Sequence, residues 1–293
     1  MKTKYIIYTV FCLLILSGFF ACNERININT EDSPPRLVIY GYITTDTTQH
    51  RIRITRSTGY FSTSKPEGIS NAEVCITSPG EEFVLSESPD EPGLYLTKAN
   101  VAGRIGETYI LHVSVDFDGD GQVEEYESAS YLPPAATVDS IAVQPSSLTM
   151  FGDLLEVVIW GRIPDAEKND FSFHLYRNGK LVNDSLQGFF TENDDYIPGK
   201  EIIGLSVFYL DQENEQSHLK PGDLVTVQME GITHEYAVFI RNAQQELYGS
   251  DPLFSGPPAN IETNIRSLVP TPDILISGFF TAYSKNRASM IYR

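Results

Sequence analysis

From residue 36 onward, apolar and polar side chains alternate in short runs rich in β-branched and aromatic residues. The runs lie at 37–40, 51–55, 72–77, 82–85, 94–97 and 108–115, separated by clusters of Gly, Pro, Ser and Asn. Side chains on a strand point to opposite faces in turn, so this spacing predicts the short strands of a β-sandwich. In Tyr109-Ile110-Leu111-His112-Val113-Ser114-Val115 the odd positions are apolar, which buries one face and turns His112 to the other. The stretch 131–136 loses the period and holds Pro133-Pro134, so a domain boundary is expected there. Strands resume at 139–143, 154–160, 171–176, 180–183, 202–209 and 224–229, with Asn178-Gly179 supplying the two positive-φ residues of a tight hairpin. One helix interrupts them near 234–248. Thr233 is its N-cap, Tyr236, Phe239, Ile240, Ala243 and Leu247 recur at helical spacing, and Gly249 stops the run. The pattern therefore predicts a mainly β chain of two β-sandwich-like domains, 36–132 and 133–293, the second with one covering helix.

The first 22 residues read as an address. Lys2 and Lys4 precede an apolar run at 5–16, Ser17 and Gly18 break it, and Phe19-Phe20-Ala21 lead to Cys22. The run is shorter than the ~20 residues that span a hydrocarbon core, and a small residue precedes the cysteine, as at a signal-peptide cleavage site. The Phe-Phe-Ala-Cys ending resembles a bacterial lipobox, with Phe19 where Leu is usual. Residues 1–21 are expected to leave as a signal peptide, Cys22 to be lipidated, and the polar, acidic stretch 22–35 to serve as a tether. Several acyl chains at about 0.8 kcal/mol per buried methylene anchor such a product stably.

Charge and cysteine usage narrow the picture. The 293 residues carry 21 basic and 39 acidic side chains, a net charge of −18. Loss of Lys2 and Lys4 leaves 19 basic against the same 39 acidic, near −20. An acidic surface without a Lys/Arg cluster repels phosphate backbones, which excludes nucleic acid and a polybasic membrane patch as partners. Of three cysteines, Cys12 leaves with the signal peptide and Cys22 is acylated. Cys75 then remains alone, with no intrachain disulfide open to it, and its alternating strand context reads as a small buried hydrophobe.

Several segments resemble one known family. Pro35-Arg36-Leu37-Val38-Ile39-Tyr40-Gly41-Tyr42-Ile43, Ser70-Asn71-Ala72-Glu73-Val74, Pro92-Gly93-Leu94-Tyr95 and Gly106-Glu107-Thr108-Tyr109 follow its pattern. So do Pro257-Pro258-Ala259-Asn260-Ile261, Asn264-Ile265 and Gly278-Phe279-Phe280-Thr281-Ala282-Tyr283-Ser284. Together with the lipobox these residues are similar to Bacteroidota outer-membrane lipoproteins of the domain of unknown function 4249 family. The resemblance implies a lipid-anchored protein of the outer membrane, often encoded beside TonB-dependent receptors. It also implies an amino-terminal sandwich similar to transthyretin-like or carboxypeptidase-regulatory modules. It carries over no catalytic residue. In physical terms Gly278 admits close strand packing and the prolines fix a loop.

The sharpest chemical motif is Asp116-Phe117-Asp118-Gly119-Asp120-Gly121-Gln122-Val123-Glu124-Glu125-Tyr126-Glu127, which satisfies the EF-hand loop pattern. Asp116, Asp118 and Asp120 would offer side-chain oxygens, Gln122 its carbonyl, Glu124 a water, and Glu127 a bidentate carboxylate. Hard oxygen ligands suit calcium. Strands and not helices flank the motif, so a plain acidic hairpin turn is the other reading. Motifs for a metalloprotease, a nucleophile elbow or a phosphate loop do not occur. His50, His112, His174, His218 and His234 are scattered, Glu192, Asp194 and Asp195 read as a solvated loop with a glycosidase carboxylate pair as the other reading, and Phe189-Phe190, Tyr196 and Phe208-Tyr209 read as core, with a ligand or partner patch as the alternative. The expected function is therefore non-catalytic: an outer-membrane accessory lipoprotein, which the resemblance pairs with a TonB-dependent receptor in nutrient capture or import. A structural or adhesive surface lipoprotein is the alternative, and a cryptic hydrolase the third. Only Glu24 lies close behind Cys22, so the periplasmic and cell-surface faces of the membrane both stay open.

Overall fold

The computed structural model describes residues 34–59, 62–148, 153–165, 168–197, 199–248, 261–269 and 274–293. Pro34–Arg293 form one compact unit. Its strands begin with β1 (Leu37–Thr44), β2 (Arg51–Arg56), β3 (Glu67–Gly68), β4 (Glu73–Ser78), β5 (Glu81–Val84) and β6 (Ser86–Glu87). They continue with β7 (Leu94–Leu96), β8 (Thr108–Val115), β9 (Glu124–Tyr131), β10 (Thr137–Pro145), β11 (Leu154–Arg162) and β12 (Asp170–Arg177). Next come β13 (Lys180–Leu181), β14 (Phe190–Asn193), β15 (Glu201–Asp211) and β16 (Leu224–Ile232). Helix α1 (His234–Tyr248), β17 (Arg266–Ser267) and β18 (Ile276–Ile291) complete the order.

Among the described residues these strands build three sheets. The largest has ten strands in the order β13-β12-β16-β18-β1-β2-β7-β6, with β14 beside β12 and β3 beside β2. A five-stranded sheet, β17-β9-β8-β4-β5, and a three-stranded sheet, β10-β11-β15, pack against it. The first core joins Ile39, Ile43, Ile52 and Ile54 to Val74, Ile76, Leu111, Val113 and Tyr126, with Phe280 and Ala282 between them. The second joins Phe171, Phe173, Val227 and Met229 to Ile141, Val157, Ile159 and Val207. Each large side chain buried in full contributes roughly 1.5–3 kcal/mol, so both cores are substantial. The architecture is sandwich-like and mainly β, as the alternation predicts, and the odd residues Tyr109, Leu111, Val113 and Val115 are all buried.

The two sandwiches share the ten-stranded sheet. Strand β18 runs through its middle, antiparallel to β16 and parallel to β1, with Leu37 opposite Ile276 and Thr44 opposite Tyr283. The stretch 131–136, read from sequence as a boundary, is built into the body. Leu132 and Ala136 are fully buried, and the Ser284 hydroxyl donates to the Pro133 carbonyl at 2.6 Å. A Cβ at Gly231 would fall 2.2 Å from the Pro134 carbonyl oxygen, so glycine there lets the segment lie flat on β16.

Local features follow their residues. Asn178 and Gly179 both have positive φ, 51° and 79°, and close the β12–β13 hairpin. The Thr233 hydroxyl accepts from the Tyr236 amide at 3.2 Å, capping α1. The helix buries Tyr236, Ala237, Ile240 and Ala243, whereas Leu247 is exposed. Gly249 lies outside the described residues. Cys75 is half-buried and not in the core: it lies on the face of β4 opposite Val74 and Ile76, and burial, then Glu82, pushes its thiol pKa up.

Gly278 has φ +103°, and a Cβ there would sit 2.0 Å from the Ile39 carbonyl oxygen. Gly278→Ala is expected to cost about 3 kcal/mol or more, since a strained φ is joined by a backbone clash inside the β1–β18 ladder. Gly80→Ala, at φ +83° but with open space around it, is expected to cost only about 1 kcal/mol. Urea unfolding of the two variants measures the difference; equal losses would show that the close approach is unimportant.

Candidate functional site

The face of the ten-stranded sheet turned away from the two sandwich cores is polar and aromatic. In β12 the residues Phe171, Phe173 and Leu175 enter the second core, so Ser172, His174 and Tyr176 point the other way. In β16 the partners Gln228 and Glu230 share that face, and in β18 so do Lys285 and Arg287. Register aligns them in rows across three strands: Ser172, Glu230, Lys285 and then His174, Gln228, Arg287. Tyr40 and Tyr42 of β1 extend the face. Helix α1 and the turn Leu186–Gly188 cover it, and the Gln244 amide fastens that turn to the helix by donating to the Leu186 and Phe189 carbonyls at 2.8 and 2.7 Å. Beneath this roof is a cavity of about 220 Å³ lined by Tyr40, Tyr42, Tyr176, Tyr236, Tyr283, Phe189, His174, Ser172, Gln228, Glu230 and Lys285, among others.

The floor of the cavity is a connected network. Glu230 is 4% exposed; its Oε1 accepts from the Gln228 amide at 2.6 Å and its Oε2 lies 3.3 Å from His174 Nε2. Gln228 Oε1 in turn accepts from Arg287 Nε at 2.5 Å. Arg287 and Lys285 both reach Asp46, at 2.6 and 3.4 Å. Burial alone would push the Asp46 pKa up, but these two cations hold it below the ordinary value. A buried carboxylate survives only when paired and hydrogen-bonded, and here both of its oxygens have donors nearby. The Tyr40 and Tyr236 hydroxyls bond each other at 2.9 Å. His174 is 8% exposed, and its Nδ1 is a buried atom with no hydrogen-bond partner. A larger hollow of about 670 Å³ beside residues 212–223 is open and polar, and Asn178 and Asp223 on its wall are spent on each other at 2.7 Å.

The acidic motif forms the β8–β9 loop. Ligand oxygens of Asp116, Asp118, Asp120 and Glu124 all lie within 4.8 Å of one another. Asp116 accepts from the Gly119 and Gly121 amides at 2.8 and 3.1 Å, Asp118 from the Asp120 amide at 3.0 Å, and Glu124 from the Phe117 amide at 2.9 Å. Gln122 turns its side-chain amide onto Asp120 at 3.0 Å. Glu127, expected to close the site, is not among them. It lies well inside β9, paired in register with His112, and bonds Arg266. Glu124, at the first position of the strand and 7% exposed, takes that place. Cys22 lies outside the described residues, as do Pro257-Pro258-Ala259-Asn260.

One family model, described as a domain of unknown function (DUF4249), matches residues 23–289. The chain belongs to the DUF4249 family. Among curated proteins, none matches it. The match to DUF4249 runs through both cores and every strand that lines the cavity.

Most of the DUF4249 cavity escaped the sequence reading. Phe189 was singled out, but Phe190 and Phe208 pack on the second core and Tyr209 is half exposed. The five histidines have separate surroundings. His50 is buried against the Val101 carbonyl, half-buried His218 lies on the Gln212 carbonyl, exposed His234 on Asp170 and His112 beside Glu127; only His174 lines the cavity. Asp194 holds Asn169, with its Oδ2 2.7 Å from the Asn169 amide. The signal that finds the cavity is the parity of three strands, in which Ser172, His174, Tyr176, Gln228, Glu230, Tyr40 and Tyr42 occupy the positions between apolar ones.

Burial, then the neighbouring Tyr40 and Glu230, pushes the Tyr236 phenol well above its usual pKa, and burial, then Glu230, does the same for Tyr283. The folded state keeps these protons while the unfolded chain releases them above pH ~10. Stability from these groups is thus present in full below pH ~10 and is lost as the pH rises toward the folded values. Tyr283→Phe is expected to flatten the decline of urea stability above pH ~10; an unchanged slope would place the buried phenol elsewhere.

Proposed function

We infer that this DUF4249 protein is a non-catalytic binding lipoprotein, held to the outer membrane through lipidated Cys22 and working with a TonB-dependent receptor in capture or import of a nutrient. The observation that carries the binding part is the cavity: a rigid sheet presents aligned polar side chains under a helix, with its ionisable floor tied together for holding and not for proton transfer. The anchor is supported by the charge, apolar run and small residue before Cys22, and the receptor by the family resemblance alone. Calcium belongs to the same reading as a staple of the 116–124 loop, supported by four convergent carboxylates.

Gentle solubilisation of native outer membranes, purification through a C-terminal tag and mass spectrometry test the receptor part. A barrel receptor at stoichiometric yield is the expected result; the lipoprotein alone, with receptor present in the input, favours a structural or adhesive role. Calcium titration is expected to release or absorb heat and, at a hundredfold excess over Kd, to stabilise the protein by about 2.7 kcal/mol. Asp118→Ala should abolish both signals, and no thermal shift in the unaltered protein would leave the loop a plain hairpin.

A further inference from the structure

The cavity over the ten-stranded sheet has a chemistry specific enough to name a ligand class, an inference that rests on the binding role above. Its charges are balanced. Glu230 stands opposite Lys285 in the β16–β18 register, and Lys285 and Arg287 both pair with Asp46 beside it. An organic cation would find the Glu230 charge already offset by Lys285 opposite it, with the Gln228 amide on Oε1 and His174 beside Oε2, whereas the second lone pair of each oxygen stays open to a ligand hydroxyl. An anion would meet the same carboxylate. A neutral ligand avoids both conflicts.

The walls say what kind of neutral ligand. Five tyrosines and Phe189 offer ring faces and edges, which suit a ligand with C–H surfaces. Between them stand groups that both give and take hydrogen bonds: the tyrosine hydroxyls and Ser172, together with Gln228. His174 closes the floor beside them, its Nε2 3.3 Å from Glu230 and 3.4 Å from Ser172. The volume of about 220 Å³ lies below the ~300 Å³ where pockets for drug-sized ligands begin, so one small ring fits and a chain of them does not.

We propose that the cavity binds a single neutral, ring-sized polyhydroxylated molecule of the monosaccharide class, with its hydroxyls bonding Ser172, Gln228 and Glu230 and the tyrosine rings packing on its faces. Tyr40, 37% exposed, is the most exposed of the five tyrosines, and Gln244 is a positioning residue that holds the roof.

The test uses the full-length protein in a polyoxyethylene detergent, which has no sugar headgroup. D-Glucose, D-galactose, D-mannose and N-acetyl-D-glucosamine are titrated by calorimetry and by saturation-transfer NMR, with choline as the cationic comparison. At least one sugar is expected to bind, choline is not, and Glu230→Gln and Tyr40→Phe are each expected to weaken the sugar by about tenfold, the worth of one good hydrogen bond. Tyr40→Phe changes the most exposed of these tyrosines and keeps the ring, so it reports on binding even if the buried Glu230→Gln variant fails to fold. Choline bound in preference, no sugar bound at millimolar concentration, or sugar binding indifferent to Tyr40→Phe and to every folded Glu230 variant overturns the assignment. A receptor recovered from membranes with no sugar binding overturns this inference alone. Sugar binding with no receptor supports it and removes the import reading.

Discussion

Strand β18 has to satisfy both sides of the ten-stranded sheet at once. Its even residues enter the cores, Phe280 and Ala282 in the first and Ala288 and Met290 at the second, while Phe279, Tyr283, Lys285 and Arg287 face the helix and cavity. A slip of one residue would exchange these sets and put Lys285 and Arg287 into hydrocarbon. The register is fixed at one end by Gly278, whose missing side chain lets the Ile39 carbonyl approach, and further along by the Ser284 bond to Pro133. The two cores, the cavity floor and the position of α1 all inherit that alignment.

This explains which parts of the molecule were legible. Most strands with a period of two were visible from their residues, β18 not among them, and so were the Asn178-Gly179 turn and the Thr233 cap, because local chemistry decides them. The partner of a strand is not local. Nothing in Leu37-Val38-Ile39-Tyr40 says that its neighbour is Ile276 to Phe279, so two sandwiches could be read while the sheet they share could not. Pro133-Pro134 misled for the same reason: prolines mark a place where a strand ends, and only the tertiary fold shows whether the segment then hangs free or lies across Gly231.

The acidic loop and the cavity went opposite ways. The loop announces itself, since its aspartates are contiguous and match a spacing known for a chemical reason. Glu127 was expected in the last place because the helical exit of an EF-hand would present it, whereas the strand exit here sets Glu124 beside the three aspartates and Glu127 opposite His112. The cavity is assembled from β1, β12, β16, β18 and α1, with two or three residues from each, and no window of sequence contains it. Its tyrosines looked like ordinary sandwich residues until the rows were aligned.

The parallel pairing of β1 with β18 joins the first strand of the domain to the last. A chain emerging from its amino terminus can close hairpins such as β8–β9 as soon as they appear, but it cannot finish its first sandwich until Phe280 and Ala282 arrive. Pairings of such long separation form slowly, because the entropy of closing the loop is lost before the contact repays it. A sheet whose central strand lies more than 230 residues along the chain from its partner stays open until that strand has been made.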